Sequence, residues 1–260
     1  MNYSKKKYYP RIRRKKKAHF KKKMTTQDLY DSYITRECAI DKDCMLRHPK
    51  YNYRMRHILI EWLYDVCNAS FEDNILEVLP SAIWIIDKYM DKKTIERHRI
   101  QLLGIVSLRL AIKYELRGLL TVDYITYVCD DAYKDANEIL EMEFDILKTL
   151  DYNISFINSN MILITLLECD NADETTINFA SQLLLKLLPC KQLVGYKPSI
   201  VACAILFLMK KQLGIHPIWT YELRTLTKQR PRKLRFCLQD IQGLVDYQDI
   251  KVKLGIIKKI

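Results

Sequence analysis

The stretch Tyr53–Asn68, reading YRMRHILIEWLYDVCN, constrains the fold of this chain more than any other. Placed on a helix at about 100° per residue, Arg54, His57, Glu61, Asp65 and Asn68 form one narrow polar strip. Met55, Ile58, Leu59, Ile60, Trp62, Leu63, Tyr64, Val66 and Cys67 cover almost everything else. A helix that is apolar nearly all round has to be enclosed by other helices, so the spacing predicts a helical bundle built around it. Arg56 breaks the pattern by projecting from the apolar side between Leu63 and Ile60. A guanidinium keeps its charge at any physiological pH, so Arg56 requires a buried acid or a route to water.

Composition supports an all-helical chain. Six glycines and seven prolines in 260 residues leave little material for turns, and the 49% apolar fraction is that of a globular protein. Two domains of ordinary size, or one large one, fit that length. No apolar run approaches the roughly 18 residues a membrane helix needs, so no membrane contact is expected. A lysine-rich N-terminus with no apolar segment behind it argues against a secretory leader. The eight cysteines contain no C-x-x-C pair, and the five histidines show no ligand spacing. Free thiols in a reducing compartment, with no metal and no cofactor, are the expectation.

The net charge of +12 has a single source. Residues 1–23 carry twelve bases and no acid, and the rest of the chain holds 31 bases against 31 acids. Such an arm is expected to be disordered. Its RIRRKKK core looks like a nuclear import signal, which predicts a nuclear location compatible with shuttling to the cytoplasm. Phosphate-backbone contact, or a solvated tail without a specific partner, are the alternative readings of the arm. With a neutral body, nucleic acid is expected to touch the arm alone.

The rest of the chain reads as successive helices. Thr25-Thr26-Gln27-Asp28 caps a short helix running to about Ala39, and a polar linker containing His48-Pro49 follows. Beyond the central stretch come helices over 75–90, 95–116, a short one after Thr121, and 134–150. Asp87 is the candidate partner for Arg56, unless it ends its helix in solvent. The 95–116 helix interleaves Gly104, Ser107 and Ala111 with large aliphatics, so neighbours approach closely and it runs centrally. In the 134–150 helix Ile139, Leu140, Met142, Ile146, Leu147 and Leu150 are expected to face inward. A second series follows Asp151-Tyr152-Asn153, at about 158–169, 174–189, 198–213, 217–228 and 231–246. Two units of like helix order suggest a duplicated all-α fold. The divisions are 1–23 (arm), 24–50 (N-terminal helix and linker), 51–153 and 154–260.

The segment MRHILIEWLYDV resembles the signature of the cyclin box, and four further segments agree in order. Asp28 to Glu37 looks like the helix preceding the box in mitotic cyclins. Ile85-Ile86-Asp87-Lys88-Tyr89 is similar to a second motif, Ile100 to Gly104 with Leu110 to Glu115 to a third, and Leu140 to Glu143 to another. The second unit is similar to the family's C-terminal box in layout only. The resemblance implies tandem five-helix cyclin-box domains and a non-catalytic subunit that binds and activates a cyclin-dependent protein kinase in cell-cycle control. It implies kinase contact by Lys113 and Glu143, assisted by Leu110, Tyr114, Leu147 and Tyr152. It also implies a groove for R-x-L-type substrates or inhibitors. Met55, Ile58, Leu59 and Trp62 are its floor, Gln101 a wall, and Glu61 and Asp65 the acids facing the peptide's basic residue. From spacing alone those four apolar residues fit a core face equally well. Arg56 and Asp87 match a buried ion pair of the family.

Two residues depart from the family pattern. Ile112 stands where a small residue is usual, and Leu116 replaces a frequent second glutamate. The arm shows no R-x-x-L destruction motif followed by a polar tract. The competing reading is a general transcription factor of the TFIIB type, which shares the duplicated fold and would place the arm on DNA. The missing zinc-ribbon cysteines and the neutral body count against it. No Gly-rich phosphate loop or nucleophile motif supports an enzyme.

Overall fold

Local sequence sets the helix starts. A computed structural model describes residues 25–254, apart from 131, 134 and 230, so the expectations for residues 1–23 lie outside the described residues. The described chain forms twelve α-helices joined by turns, 3-10 segments and one longer linker over residues 37–52, with no strand among the described residues. They are α1 (Thr26–Arg36), α2 (Tyr53–Phe71), α3 (Ile75–Lys92), α4 (Ile100–Glu115), α5 (Val122–Val128) and α6 (Ala136–Thr149), then α7 (Ser159–Cys169), α8 (Glu174–Leu187), α9 (Pro198–Leu213), α10 (Tyr221–Thr227), α11 (Arg235–Ile241) and α12 (Tyr247–Lys253). Short polar side chains accept the free N–H groups at seven of these starts: Thr25, Asn52, Thr121, Asp135, Asn158, Asp173 and Thr220. Thr25 and Asp28 form a reciprocal capping box.

Two cores divide the molecule. The first gathers α2 to α6 around α4, whose Leu102, Leu103, Ile105, Val106 and Leu108 are fully enclosed. The second gathers α7 to α12 around α9, whose Ala202, Cys203, Ala204, Ile205 and Leu206 are equally enclosed. At Gly104 the missing side chain lets α2 approach α4: a Cβ there would lie 2.8 Å from Leu59 Cδ1. Helix α1 precedes the first bundle in sequence yet belongs to the second in space, since Tyr30 joins the second core. Glu37, the residue that caps the C-terminus of α1, explains part of this docking. The α9 N-terminus has Pro198 in its first turn and no side-chain cap of its own. Glu37 supplies one from outside, accepting from Ser199 N–H at 2.9 Å and from the Ser199 hydroxyl at 2.8 Å.

Several sequence expectations need correction. The central helix of the first bundle starts at Ile100, because residues 97–99 form a 3-10 turn. The linker before α2 is not simply polar: Cys44, Met45 and His48 are buried in it. The expected helix over 231–246 is a 3-10 turn, α11 and a break at Gly243, whose φ of 89° admits no side chain without strain. Helix α12 then follows, and the sequence reading missed it. Leu140 faces outward at 49% exposure, although the helical spacing placed it inside.

Candidate functional site

Arg56 and Asp87 meet across the α2–α3 contact. Arg56 Nε and Nη2 donate to Asp87 Oδ1 and Oδ2, each at 2.7 Å, in a two-pronged pair that solvent barely reaches. Burial works against the Arg56 charge, but the Asp87 carboxylate and its hydrogen bonds outweigh it and raise the guanidinium pKa. Burial, then the Asp87 charge, raises the neighbouring Tyr51 hydroxyl and pushes the Cys44 thiol up to about 11, so both stay neutral. The third prong, Nη1, donates to the Pro189 carbonyl of the second bundle at 3.1 Å. Arg56 therefore ties three elements, with Pro189 an acceptor that helix geometry in one unit did not reveal. Close by, Asn158 Nδ2 donates to Ser81 Oγ at 3.2 Å, and Trp84 stacks on Phe156 at 3.7 Å.

A second charged group joins the C-terminal half of α4 to the middle of α6. Glu143 Oε1 accepts from Lys113 Nζ at 2.5 Å, and Oε2 accepts from Arg109 Nε at 2.9 Å. Arg109 is held in turn by the Leu120 carbonyl, to which Nη1 donates at 2.6 Å. Lys113 is partly exposed, whereas Arg109 and Glu143 are largely covered. Glu143 thus has its charge balanced on both oxygens and a fixed direction.

Around this polar group the surface is apolar. On α6, Leu140, Phe144 and Leu147 follow at i, i+4 and i+7 and share a face next to Glu143. Phe144 is 57% exposed and Leu147 half-buried. Tyr114, in the last turn of α4, and Tyr152 are exposed too. Asp151 and Tyr152 both adopt positive φ (53° and 56°), and Tyr152 N–H closes on Leu147 O at 2.7 Å. That tight reversal leaves Tyr152 beside the end of α6 instead of continuing away from it. Leu110 is buried under this surface and cannot be touched from outside. Sequence reasoning missed Arg109 and Phe144. Arg109 interrupts an apolar helix as Arg56 does, and Phe144 shares the helical stripe of Leu140 and Leu147, so both signals were present.

The α2 residues of the expected groove separate into two depths. Leu59 is in the core against Gly104. Ile58 is 55% exposed, and Met55, Trp62 and Gln101 are half-buried. Glu61 and Asp65 are exposed, with Glu61 3.2 Å from His57. On the opposite flank of the same polar strip, an open cleft of about 510 Å³ separates α2 from the second bundle; Glu61, Tyr64, Asp65, Lys186, Leu244 and Asp246 line it. Ile112 and Leu116, the two departures, are both buried.

The cyclin N-terminal domain matches residues 28–155, and the cyclin C-terminal domain matches residues 154–259. This chain belongs to the cyclin family. Cyclin-B2-1 of Arabidopsis thaliana is 34% identical over 183 residues, which is 70% of this chain and 42% of the relative. G2/mitotic-specific cyclin S13-7 of Glycine max is 30% identical over 217 residues, 83% of each chain. G2/mitotic-specific cyclin-A of Patella vulgata is 31% identical over 198 residues, 76% of this chain and 46% of the relative. The cyclin therefore spans about half the length of most of these relatives. Among solved structures, a viral cyclin from Herpesvirus saimiri superposes with a TM-score of 0.69 at 19% identity, over 85% of this chain and 97% of its own. A chain of the yeast RNA polymerase II CTD kinase CTDK-1 complex superposes with a TM-score of 0.55 at 14% identity, over 76% and 69%. Both share the tandem helical fold with this cyclin.

Proposed function

We propose that this cyclin is the regulatory subunit of a cyclin-dependent protein kinase and binds it through the α4–α6 face. The observation that carries the reading is the apolar rim of Tyr114, Phe144, Leu147 and Tyr152 around the fixed Lys113–Glu143–Arg109 group. An exposed apolar surface with a rigid polar centre suits a protein partner: the rim supplies burial, and the centre sets register. Glu143 keeps its geometry through Arg109, so Lys113 is free to exchange its contact for a partner's carboxylate or carbonyl without leaving Glu143 unpaired. Binding acts by shifting the kinase toward its active conformation, with no chemistry contributed by the cyclin.

Control of cell-cycle progression and recruitment of R-x-L-type substrates belong to the same proposal. The half-buried Met55 and Trp62 with exposed Ile58, next to Glu61 and Asp65, support a shallow docking groove whose floor is Leu59. The basic sequence of residues 1–23 supports nuclear import. Affinity capture from cell extract tests the kinase reading. The native chain is expected to recover a protein kinase, and Phe144→Asp or the pair Lys113→Ala with Glu143→Ala to lose it. Full recovery by both variants would remove the α4–α6 face from consideration.

A further inference from the structure

The neutrality of the chain outside its arm conceals a strong separation of charge. Between Glu222 and Asp240 the sequence holds six bases, Arg224, Lys228, Arg230, Arg232, Lys233 and Arg235, and no acid. The balancing acids lie elsewhere, and Glu61, Asp65 and Asp246 are among those that line the cleft between the bundles. Arg224, Lys228, Arg232, Lys233 and Arg235 are all exposed. Two aromatic side chains flank this run in sequence with most of their surface in solvent, Tyr221 at 78% and Phe236 at 72%. Leu223 and Leu226 of α10, and Cys237 and Ile241 of α11, are meanwhile packed into the second core. The two helices thus already bury their apolar sides, and exposure of Tyr221 and Phe236 is not demanded by packing.

The same surface lies beside α1. Gln27, in the first turn of α1, donates from Nε2 to the Leu226 carbonyl of α10 at 3.3 Å, and Asp31 lies 3.6 Å from Lys228.

We infer that the α10–α11 face of the second bundle binds single-stranded nucleic acid. Arginine and lysine neutralise backbone phosphates, while Tyr221 and Phe236 offer ring faces on which unstacked bases lie. Stacked duplex bases cannot reach such rings, so the aromatic pair selects single strands. A membrane surface fits less well, because it would need an exposed aliphatic helix face and those of α10 and α11 are buried. The inference is independent of kinase binding, which uses the first bundle.

The test uses the full chain and fluorescent 20-nucleotide oligo(dT) and oligo(U), with anisotropy read between about 50 and 200 mM salt. Neutralising five bases, by Arg224→Gln, Lys228→Asn, Arg232→Gln, Lys233→Gln and Arg235→Gln, is expected to reduce the slope of log affinity against log salt by about 3.5. The affinity lost over that salt range then shrinks about 100-fold. Tyr221→Ala with Phe236→Ala is expected to weaken binding at least about 30-fold while leaving the slope unchanged. An unchanged slope in the five-base variant places all binding on residues 1–23 and overturns the inference. So does native-like oligonucleotide binding by the aromatic variant, or equal binding to phosphatidylserine vesicles, since either marks a surface that takes any polyanion.

Discussion

Removing the carboxylate of Asp87 is the most direct probe of how the two bundles are joined. In Asp87→Ala the Arg56 guanidinium remains buried, with the Pro189 carbonyl as its surviving partner among those described. Breaking a buried pair from one side costs about 3–5 kcal/mol, because an uncompensated charge stays in a poorly polar site. Against a typical folding free energy of about 5–15 kcal/mol, that is about a fifth or more of the total. Arg56→Met leaves the opposite charge stranded and is expected to cost a similar amount. The double variant Arg56→Met with Asp87→Leu removes both charges together. Its remaining deficits are the Pro189 carbonyl without its donor, about 1 kcal/mol, and imperfect packing of similar size. It should therefore lie within about 2 kcal/mol of the native chain, far from the sum of the single effects. Urea unfolding measures all four proteins, with the fluorescence of Trp62, Trp84 and Trp219 for tertiary packing and far-ultraviolet circular dichroism for the helices. Coincidence of the two probes establishes that a single transition is being compared. Additive single effects, or an Asp87→Ala loss below about 1 kcal/mol, would refute the reasoning.

Gly104→Ala is expected to destabilise by about 1–3 kcal/mol, since the new methyl meets Leu59 Cδ1 at 2.8 Å in a closed core; a midpoint equal to the native one in urea would show that α2 yields freely. For the proposed groove, Met55→Ala with Trp62→Ala should spare kinase recovery and reduce phosphorylation of R-x-L peptides; unfolding of this variant would assign the two side chains to the core alone. Asp145 gives a pH dependence. Burial raises its carboxyl, but hydrogen bonds from Lys93 at 2.6 Å and Tyr89 at 2.7 Å, with the Lys93 charge, bring it below the usual 3.8. The native state then binds fewer protons than the unfolded one, so this stabilisation is complete above that value and is lost as pH falls through the lowered one. Asp145→Asn keeps an acceptor for Tyr89 and removes the titration, so its deficit in urea midpoint should be present near pH 6 and shrink near pH 3. An equal deficit at both would show that the carboxylate charge contributes nothing.

The outcome at individual residues shows which signals a sequence carries. Several helix starts were legible because a cap is a local event: Asn52, Thr121 and Asn158 each accept from the backbone N–H three residues ahead. The α2 stretch announced enclosure, which the structure gives on one side only, since Ile58 is 55% exposed and Met55, Trp62 and Tyr64 are half-buried. Its misplaced arginine required an acid, because burying a charge alone is too costly for the fold to tolerate. These are constraints within one helix, and periodicity reads them directly. The break at Gly243 and the extra helix α12 were not legible, since the apolar residues on either side of the turn continue one helical pattern.

What tertiary structure decided was depth and neighbourhood. Leu140 and Ile139 are adjacent in sequence and equally apolar, yet Ile139 is enclosed by α4 and its neighbours while Leu140 faces solvent. The same holds for Leu59 and Ile58 on α2. Hydrophobicity fixes how much surface a chain must bury, and only the packing of other helices fixes which side is left over. Distant pairings were likewise invisible. The Pro189 carbonyl on Arg56, Glu37 on the α9 N-terminus and the basic face beside Gln27 each join residues more than 130 positions apart. Tyr53–Asn68 told of its own burial and its need for an acid; the fold alone supplied the second bundle that holds the third prong of Arg56.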